Sequence, residues 1–454
     1  MTKARRVVAV VLCAGLAVGI AGQLSGNLDV LATVGHLHQS ADKVDGQHGT
    51  NQAASSVPTV SDETARLAAA RGLLSARVAA VNSGNKNAWM ATVDLHASGF
   101  RGRQSVVFDD LAKLRLGHFS YGSVQPAAAL SVARVAAVGP NAWAALVSGS
   151  YSLEGYDRAP QSFDATYTLV RRAGGWRIAD DSDGATAMQM WDLPGLRVIR
   201  GKSGIVIGNA PESRMRDYSA ITDRAVRGVS RVWGTDWSSH VVIVTPKTNE
   251  EFARLLLRSS DKGLDQVAAI TQGVIEPGKR AQGDRVVINP KAFTALQSLG
   301  RQVVITHELT HVAARSSTTS AAPIWLTEGM ADYVGYSGLG LPRERVASEL
   351  LGLVRVGKAP KALPTEVDFD PSKSKIATSY SGAWLAVSRL VDLYGQSKVV
   401  EFYRAVGTTR PGGAEQPSPD AAAASSFPRS FGVSEAQFVD GWRSYLTTLA
   451  HVPG

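Results

Sequence analysis

The sequence predicts an α+β protein with two folded domains, and three observations support this fold class. Its 454 residues exceed what one hydrophobic core usually holds. A hydrophobic content of 44% and a charged content of 19% are typical of a folded chain. Strand-like apolar runs cluster before residue 190, whereas patterns with helical spacing dominate from about residue 290 onward.

The first 28 residues have the layout of a secretory signal peptide or of an uncleaved membrane anchor helix. Basic residues at positions 3, 5 and 6 precede an apolar run from Val7 to Ala21. This run is short for a membrane span of ~20 residues, but extension to Leu28 gives a sufficient length. Gly19-Ile20-Ala21 offers a small-residue cleavage site. Two outcomes stay open, a single anchor in the cell membrane and secretion, and in both the chain after the basic end is exported.

Cysteine content and charge exclude two classes of protein. Cys13 is the only cysteine, so no intramolecular disulfide can form. The 48 Lys and Arg residues against 39 Asp and Glu residues give a net charge of +9, but the excess is spread along the chain. Nucleic-acid binding would show a basic stripe or a known motif, and neither is present. We expect no nucleic-acid partner, and we expect contact with the membrane through the N-terminal segment.

Residues 29–61 predict a flexible linker, and residues 62–190 predict a small α+β domain. The linker is polar and rich in Gly, Ser, Gln and Asn, without apolar periodicity. The domain begins with helical patterns, the first starting at Asp62 and the last covering 108–114. Strand-like runs follow over 127–138, 142–153, 162–172 and 176–181. A Gly-Gly turn at 174–175 predicts a hairpin between the last two runs.

Helices followed by an antiparallel sheet that ends in ATYTLVRRAGGWRIAD resemble the NTF2-like fold. Such domains often enclose a cone-shaped pocket, and many use it for binding rather than for chemistry. Trp89, Trp143, Tyr167 and Trp176 are candidates to line this pocket. Packing in the core explains each of these aromatic residues as well, because aromatic side chains dominate cores.

Residues 191–450 predict a second, mostly helical domain that contains a small sheet. Its predicted elements are a hairpin over 198–207, a helix over 217–233, a strand over 241–244, a helix capped by Asn249, a strand over 286–288 and a helix over 290–299. A loop rich in Pro, Gly, Ala and Ser is predicted over 409–427. A last helix contains FVDGWRSYL.

The segment His307-Glu308-Leu309-Thr310-His311 carries the clearest chemical signal. Apolar residues at helical spacing place it on a helix over 301–315. His307 and His311 are four residues apart and so lie on one helix face, where two imidazoles can bind one Zn²⁺. Glu308 projects off that line, close enough to take a proton from water at the metal without being a ligand.

A second, acidic segment supplies the groups that the first lacks. A helix that starts at Pro323 or Thr327 has Glu328 near its beginning. Glu328 is the candidate third protein ligand, and the fourth position is left for water, as a catalytic site requires. Asp332 lies one turn later and can accept a hydrogen bond from a ligand histidine, which fixes the tautomer of that histidine. Satisfied core histidines would explain the first segment alone, and ordinary helix sequence would explain the second alone, but the two together favour a zinc site.

Together, HELTH and PIWLTEGMADY resemble the gluzincin branch of zinc peptidases, and in particular the bacterial peptidase MA-like family. The resemblance extends over about 196–449 and implies a thermolysin-like zincin fold. It implies that His307, His311 and Glu328 bind Zn²⁺ and that Glu308 is the general base. It also implies a peptide or protein substrate.

The same resemblance suggests two further features of the site. Tyr380, in TSYSGAW, is the candidate donor to the oxyanion, with Tyr333 and Tyr336 as rivals, and core packing explains each tyrosine as well. The strand 285–289 is expected to pair with an extended substrate, as edge strands of such peptidases do.

A non-catalytic protein is the alternative interpretation of this sequence. In that case the NTF2-like pocket binds a ligand as a sensor, and the zinc domain is a structural scaffold. Glu308 argues for the enzyme, because a structural zinc site has no need of a base beside its ligands.

Overall fold

The computed structural model describes residues 7–13, 60–184, 186–265, 267–275, 278–370, 376–409 and 416–452. Both helices and strands occur, which confirms the predicted α+β class. The chain divides after Pro194 into two compact units, and the second unit also includes strand β1 (Val7–Cys13). The boundary predicted at residue 190 thus falls before the observed one. The predicted linker lies outside the described residues up to residue 59.

Strand β1 is the described part of the predicted signal or anchor segment, 1–28. It pairs antiparallel with strand β9 (Ala269–Ile275), from Val7 opposite Ile275 to Cys13 opposite Ala269. None of the helices in the described ranges is long and apolar enough to span a membrane. The remaining residues of the segment lie outside the described part, so export and cleavage stay predictions.

The first unit packs helices against a four-stranded antiparallel sheet with the strand order β2-β3-β4-β5. Its elements are α1 (Val60–Asn82), α2 (Lys86–Ala91), α3 (Ser98–Leu114), β2 (Leu116–Pro126), α4 (Val132–Val138), β3 (Trp143–Leu153), β4 (Gln161–Arg172) and β5 (Gly175–Asp180). A 3-10 turn at Met190–Asp192 follows, and Trp191 packs edge-on against Tyr151 with ring centroids 4.9 Å apart. This contact explains why the first unit extends beyond residue 190.

Two sequence predictions for the first unit are wrong. The run 127–138, predicted as a strand, is helix α4 from residue 132 onward, because Ser131 caps it and accepts a hydrogen bond from the N–H of Arg134 at 3.1 Å. Strand β2 was missed, since its glycines and exposed polar residues obscure the apolar alternation. The hairpin between β4 and β5 is confirmed, with Arg172 opposite Gly175.

The four aromatic candidates for a pocket in this unit divide into two pairs. Trp143 and Trp176 pack against each other in the core, with ring centroids 6.4 Å apart. Trp89 and Tyr167 instead line a small cavity. The order of helices and sheet agrees with the predicted α+β domain, and the NTF2-like resemblance stays a prediction.

The second unit surrounds a mixed sheet with helices, in agreement with the predicted helical domain. Its elements after β1 are β6 (Arg197–Arg200), β7 (Gly204–Gly208), α5 (Glu212–Trp233), β8 (Val241–Thr245), α6 (Asn249–Leu255), β9, β10 (Arg285–Ile288), α7 (Pro290–Ala295), α8 (Ser298–Ser317), α9 (Ile324–Tyr336), α10 (Arg343–Val346), α11 (Ser348–Arg355), α12 (Ile376–Tyr394), α13 (Gln396–Val406), α14 (Pro419–Phe431) and α15 (Glu435–Ala450). A 3-10 turn at Glu366–Phe369 precedes α12.

The sheet of the second unit has six strands in the order β1-β9-β10-β8-β7-β6. Strand β10 pairs parallel with β8 on one side and antiparallel with β9 on the other. The expectation that the strand 285–289 is an edge that pairs with substrate is therefore wrong, because both of its edges are hydrogen-bonded within the sheet. The outer edge of β9 pairs with β1.

The start of helix α6 differs by one residue from the prediction that Asn249 caps it. Thr248 is the cap: its hydroxyl accepts a hydrogen bond from the N–H of Glu251 at 3.1 Å. The Glu251 carboxylate accepts one in return from the N–H of Thr248, also at 3.1 Å. This reciprocal pair is a capping box, which the sequence Thr248-Asn249-Glu250-Glu251 also permits.

Two predicted segments of the second unit are divided differently in the structure. The helix predicted over 290–299 is interrupted by extended backbone at Leu296 and Gln297, with ψ angles of 146° and 166°, so α7 and α8 are separate helices. The loop predicted over 409–427 becomes helix α14 from Pro419 onward. Ser418 caps it, and the proline at the first helical position has no N–H that would need a partner there.

Helix α9 lies between α8 and α12, and Gly329 permits the contact with α12. A Cβ atom added at Gly329 would collide with the carbonyl oxygen of Ala383 and would lie 2.8 Å from Cγ2 of Val387. Backbone cannot move aside as a flexible side chain can, so any side chain at this position forces the helices apart. Because Gly329 follows Glu328 directly, this close contact also determines where the Glu328 carboxylate lies.

Candidate metal centre

Helix α8 carries the motif residues on its buried central turns. His307 and His311 are each 1% exposed, and Glu308 is fully buried. The spacing of four residues places the two imidazoles on one helix face, with ring centroids 4.8 Å apart. The helix extends beyond the predicted range 301–315 by only two or three residues at each end.

Helix α9 brings the two acidic residues to the histidines. It begins at Ile324 after the cap residue Pro323, so Glu328 lies on its second turn and Asp332 on its third. Gly335 faces α8: a Cβ atom there would lie 3.3 Å from Cγ1 and 3.4 Å from the carbonyl oxygen of Val303. The missing side chain lets the two helices approach closely, which brings both carboxylates within reach of His307.

Three side-chain donors converge between α8 and α9. The Nε2 atoms of His307 and His311 lie 3.0 Å apart, and Oε2 of Glu328 lies 3.2 Å and 3.7 Å from them. A tetrahedral zinc ion with bonds of about 2.0–2.1 Å separates its donors by about 3.3–3.4 Å. Within the part of the chain that is described, these three residues form the group whose donors can share a metal ion. Their chemistry and spacing fit Zn²⁺.

Asp332 orients His307. Its Oδ1 lies 2.6 Å from Nδ1 of His307, and both side chains are buried. A carboxylate at this distance accepts the Nδ1 proton, which leaves the lone pair of Nε2 free for a metal ion. The carboxylate also makes the ring a stronger ligand.

The buried charges of the cluster alter one another's pKa values. Burial disfavours a charge on His307, but the carboxylates of Asp332 and Glu328 outweigh burial and raise the pKa of His307 to about 10. Burial likewise opposes the charge on Glu328, yet the two histidines hold the pKa of Glu328 well below its usual range. Burial raises the pKa of Asp332 to about 6, although His307 opposes the increase. In the metal-free state at neutral pH, the proton on His307 therefore takes the place of a metal ion.

Glu308 lies against strand β9 rather than among the three donors. The hydroxyl of Thr271 lies 2.6 Å from Oε2 of Glu308 and 3.1 Å from its main-chain oxygen. Thr271 is fully buried. The other carboxylate oxygen, Oε1, has no hydrogen-bond partner among the described residues. One oxygen of Glu308 is thus held by Thr271, and the other is available for proton transfer.

Sequence reasoning missed Thr271 because it missed β9. The run Val267-Ala-Ala-Ile-Thr has the apolar and β-branched character of a buried strand, but Gln272 and Gly273 interrupt it. Gly273 is required where it stands, since the Asp284 carboxylate occupies the space of a Cβ atom. Asp284 in turn accepts hydrogen bonds of 2.8 and 3.0 Å from Arg315 at the end of α8. This contact connects α8 to the sheet that carries Thr271.

Two of the candidate tyrosines, Tyr333 and Tyr336, lie on α9 itself, and Tyr380 lies on α12, which packs against α9. Tyr380 is buried on α12, edge-on to Phe369 with ring centroids 4.9 Å apart. Tyr336 packs against Trp384 at 4.9 Å, and burial together with the charge of Asp332 raises the pKa of Tyr336 well above its usual value. The hydroxyl of Tyr333 donates a hydrogen bond of 3.4 Å to the Gln396 side chain.

Tyr403 of α13 is a further buried tyrosine near Glu328. Its hydroxyl donates to Oγ1 of Thr327, the residue before Glu328, at 3.4 Å. Burial raises the pKa of Tyr403 to about 12; the hydrogen bond with Thr327 opposes the increase, and the charge of Glu328 adds to it. Tyr403 thus remains a neutral hydroxyl in contact with α9. It was not among the sequence candidates, because nothing in the sequence brings α13 to this helix.

Comparison with known proteins gives structural likenesses only. No family model matches this sequence, and no curated protein matches it. The M1 zinc metallopeptidase from Deinococcus radiodurans is similar at 15% identity and a TM-score of 0.35, over 74% of this chain and 64% of that one. Native yeast LTA4 hydrolase is similar at 13% identity and a TM-score of 0.32, over 57% of this chain and 39% of its own.

A mutant of the Deinococcus radiodurans metallopeptidase, bound to a Tyr-ser-ala substrate, gives 14% identity and a TM-score of 0.32 over 71% of this chain and 62% of that one. This chain spans less than two thirds of the length of each of these structures. At such scores the likenesses decide neither the fold nor the activity of this chain. The zinc assignment accordingly depends on the three donors and their distances.

Zinc binding by the metal-free protein is expected to release protons. With a pKa of about 10, His307 carries at neutral pH a proton that must leave before its Nε2 binds zinc. Calorimetric titration in buffers of different ionisation enthalpy should show about one proton released per zinc, and zinc affinity should rise about tenfold per pH unit between about pH 7 and pH 9.

Asp332→Asn is the matched variant for this titration. It removes the carboxylate that contributes most to raising the pKa of His307, so proton release at neutral pH should fall. Once the proton competition at His307 is corrected for, the intrinsic zinc affinity should fall by about 10–100-fold, because the ring loses its orienting partner. A zinc-binding enthalpy that does not depend on the buffer would contradict a protonated His307 in the metal-free state.

Proposed function

We propose that this chain is a zinc-dependent peptidase that hydrolyses peptide bonds outside the cytoplasm. The observation that carries the proposal is the position of Glu308. Glu308 follows the donor His307 directly on α8, and its carboxylate is held through Oε2 by Thr271 while Oε1 has no hydrogen-bond partner in the described residues. A zinc site that serves only to stabilise a fold needs a fourth protein ligand and no such base.

His307, His311 and Glu328 would hold the metal and leave its fourth position open. When bound, the zinc ion supplies Lewis-acid chemistry, which lowers the pKa of water and polarises a carbonyl group. Glu308 takes a proton from the attacking water and delivers it to the leaving amine. Thr271 holds the Glu308 carboxylate during this transfer, and Asp332 keeps the proton of His307 on Nδ1, away from the ligand atom.

Tyr380 is proposed as the donor to the oxyanion, on the strength of the sequence resemblance and of its place on α12, which packs against α9. Tyr333 and Tyr336 are the rivals. Comparison of the three Tyr→Phe variants tests the assignment. Only Tyr380→Phe should lower kcat, by about 10²–10³-fold, with zinc content unchanged. If instead Tyr336→Phe lowers kcat by this factor and Tyr380→Phe does not, Tyr336 is the donor to the oxyanion.

Export is proposed from the N-terminal sequence, where three basic residues precede an apolar run. The second unit would then work outside the cytoplasm, either tethered to the cell membrane or secreted. A reporter enzyme that is active only after export, fused behind residue 60, tests this. An inactive but intact fusion protein would exclude export.

Replacement of Glu308 by Gln is the central test of the peptidase proposal. Glu308→Gln keeps the size and the hydrogen-bonding capacity of the side chain but cannot take up a proton, so kcat on a peptide library should fall by about 10²–10⁴-fold. Bound zinc, measured by mass spectrometry of the metal, should remain near one per chain. The control is Glu401→Gln, on the exposed face of α13, which should leave both measurements unchanged.

The outcomes of this test separate the mechanism from the metal site. If purified wild-type protein takes up no zinc, the enzyme proposal fails. Hydrolysis that persists in Glu308→Gln would exclude this base but not the zinc site. If the wild type holds zinc and cleaves none of the peptides, the alternative of a non-catalytic scaffold is favoured.

Removal of the Thr271 hydroxyl tests how Glu308 is positioned. Thr271→Val keeps the shape of the side chain but leaves Oε2 of Glu308 without its donor. A hydrogen bond to a charged group contributes about 1.5–3 kcal/mol, so kcat should fall by about 10–100-fold with KM and zinc content nearly unchanged. Thr271→Ser should restore most of the rate. If the serine variant is as slow as the valine variant, packing rather than the hydrogen bond explains the loss.

A further inference from the structure

The first unit contains a buried positive charge, that of Arg77, which has no part in the proposed zinc site. Arg77, on α1, is 1% exposed. Its guanidinium carbon lies 3.4 Å from the ring centroid of Trp89, so the planar group stacks on the indole. One Nη donates to Oε1 of Gln104, and the other lies 3.4 Å from Oγ1 of Thr92. All of these partners are neutral.

The Arg77 guanidinium has more donors than its surroundings satisfy. An arginine has five N–H groups, and two hydrogen bonds are formed here. Its Nε has no hydrogen-bond partner in the described residues, and none of the ion pairs found there includes Arg77. A buried cation without a counter-charge is unfavourable, because burial removes its hydration and nothing replaces it.

A cavity of about 30 Å³ adjoins this arginine, and Trp89, Gln104, Tyr121 and Tyr167 also line it. The hydroxyls of Tyr121 and Tyr167 are 3.2 Å apart and hydrogen-bonded to each other. In such a pair, one hydroxyl donates to the other, and the second proton is left for another acceptor. Arg77 and the tyrosine pair therefore line one cavity, and the group that would satisfy their remaining donors is an acceptor with negative charge.

Carboxylates at the cavity lining restrict the charge of that acceptor. Asp181 pairs with Arg103 at 2.8 Å, Asp192 accepts the N–H of Gln189 at 2.8 Å, and Asp164 is exposed. None of them forms an ion pair with Arg77 in the described residues, but their charges repel a multiply charged anion. The cavity has room for about two water molecules, which is comparable with a carboxylate group and smaller than a phosphate ester.

We propose that the first unit binds a small monocarboxylic acid, whose carboxylate enters this cavity and pairs with Arg77. The tyrosine pair donates the further hydrogen bond, and Trp89 holds the guanidinium plane in place from behind. This site is separate from the proposed peptidase function and does not depend on it. It deepens the prediction of a ligand pocket in this domain by stating the ligand chemistry.

Calorimetry on the full chain tests the proposal, with sodium acetate as the probe. Acetamide has nearly the same shape without the charge, and sodium chloride at equal ionic strength supplies an inorganic anion. Acetate should bind saturably, and acetamide and chloride should not. Arg77→Met should raise the Kd for acetate at least about tenfold, whereas Arg71→Met, an exposed arginine on the same helix, should leave it unchanged.

Gln104→Glu keeps the test decisive if Arg77→Met does not fold. The new carboxylate would lie where the Gln104 oxygen now accepts from Arg77. It should form an ion pair with Arg77 and so abolish acetate binding. The folded state of each variant is checked by its thermal unfolding. Unchanged acetate binding in Gln104→Glu, equal binding of acetate and chloride, or no saturable binding by the wild type would each overturn the proposal.

Discussion

The close crossing of α8 and α9 is the constraint on which the chemistry of the second unit depends. Each helix contributes two polar residues four positions apart, His307 and His311 on α8, Glu328 and Asp332 on α9. Four residues of helix span about 6 Å. His307 therefore touches both acids only if the helices lie at one spacing and one relative position along their axes. Gly335 lies in that crossing, where a Cβ atom would be 3.3 Å from Cγ1 of Val303, so a larger side chain would require the neighbouring helix to give way.

This crossing of α8 and α9 buries ionisable groups, and their removal from water has a large free-energy cost. Removing charges from water is costly unless each one finds an opposite charge or a hydrogen-bond partner. The protonated His307 provides this for both Asp332 and Glu328 when no metal is present, and its raised pKa of about 10 measures how strongly they hold the proton. His307, His311 and Glu328 would hold a zinc ion, and its positive charge would replace that of the extra proton on His307. Metal binding and folding are coupled at such a site, because the unfolded chain does not hold these groups together.

The parts that the sequence predicts correctly are those whose signal is local. Residues four positions apart lie on one face of a helix, and both His307 and His311 and the acidic pair of α9 have this spacing. The donor cluster could therefore be predicted before any fold was known. Strand pairing is not local in this sense. Nothing near the strand 285–289 shows that β8 and β9 will occupy both of its edges, and nothing near Thr271 shows that it will meet Glu308. The same holds for Tyr403, which reaches α9 only through the packing of α13.

Two buried arginines show how differently the two units treat a positive charge. Arg315, near the end of α8, has a carboxylate partner: Asp284 accepts two hydrogen bonds from it, and Gly273 leaves the space for that carboxylate. The result is a fixed connection between helix and sheet, which explains the charge completely as a structural feature. Arg77 is more deeply buried, yet its partners among the described residues are all uncharged: an amide, a hydroxyl and two aromatic rings. If stacking on Trp89 were its whole purpose, an apolar side chain of similar volume would pack there without the desolvation cost. The unmatched charge beside a small cavity is what favours a ligand over a structural role.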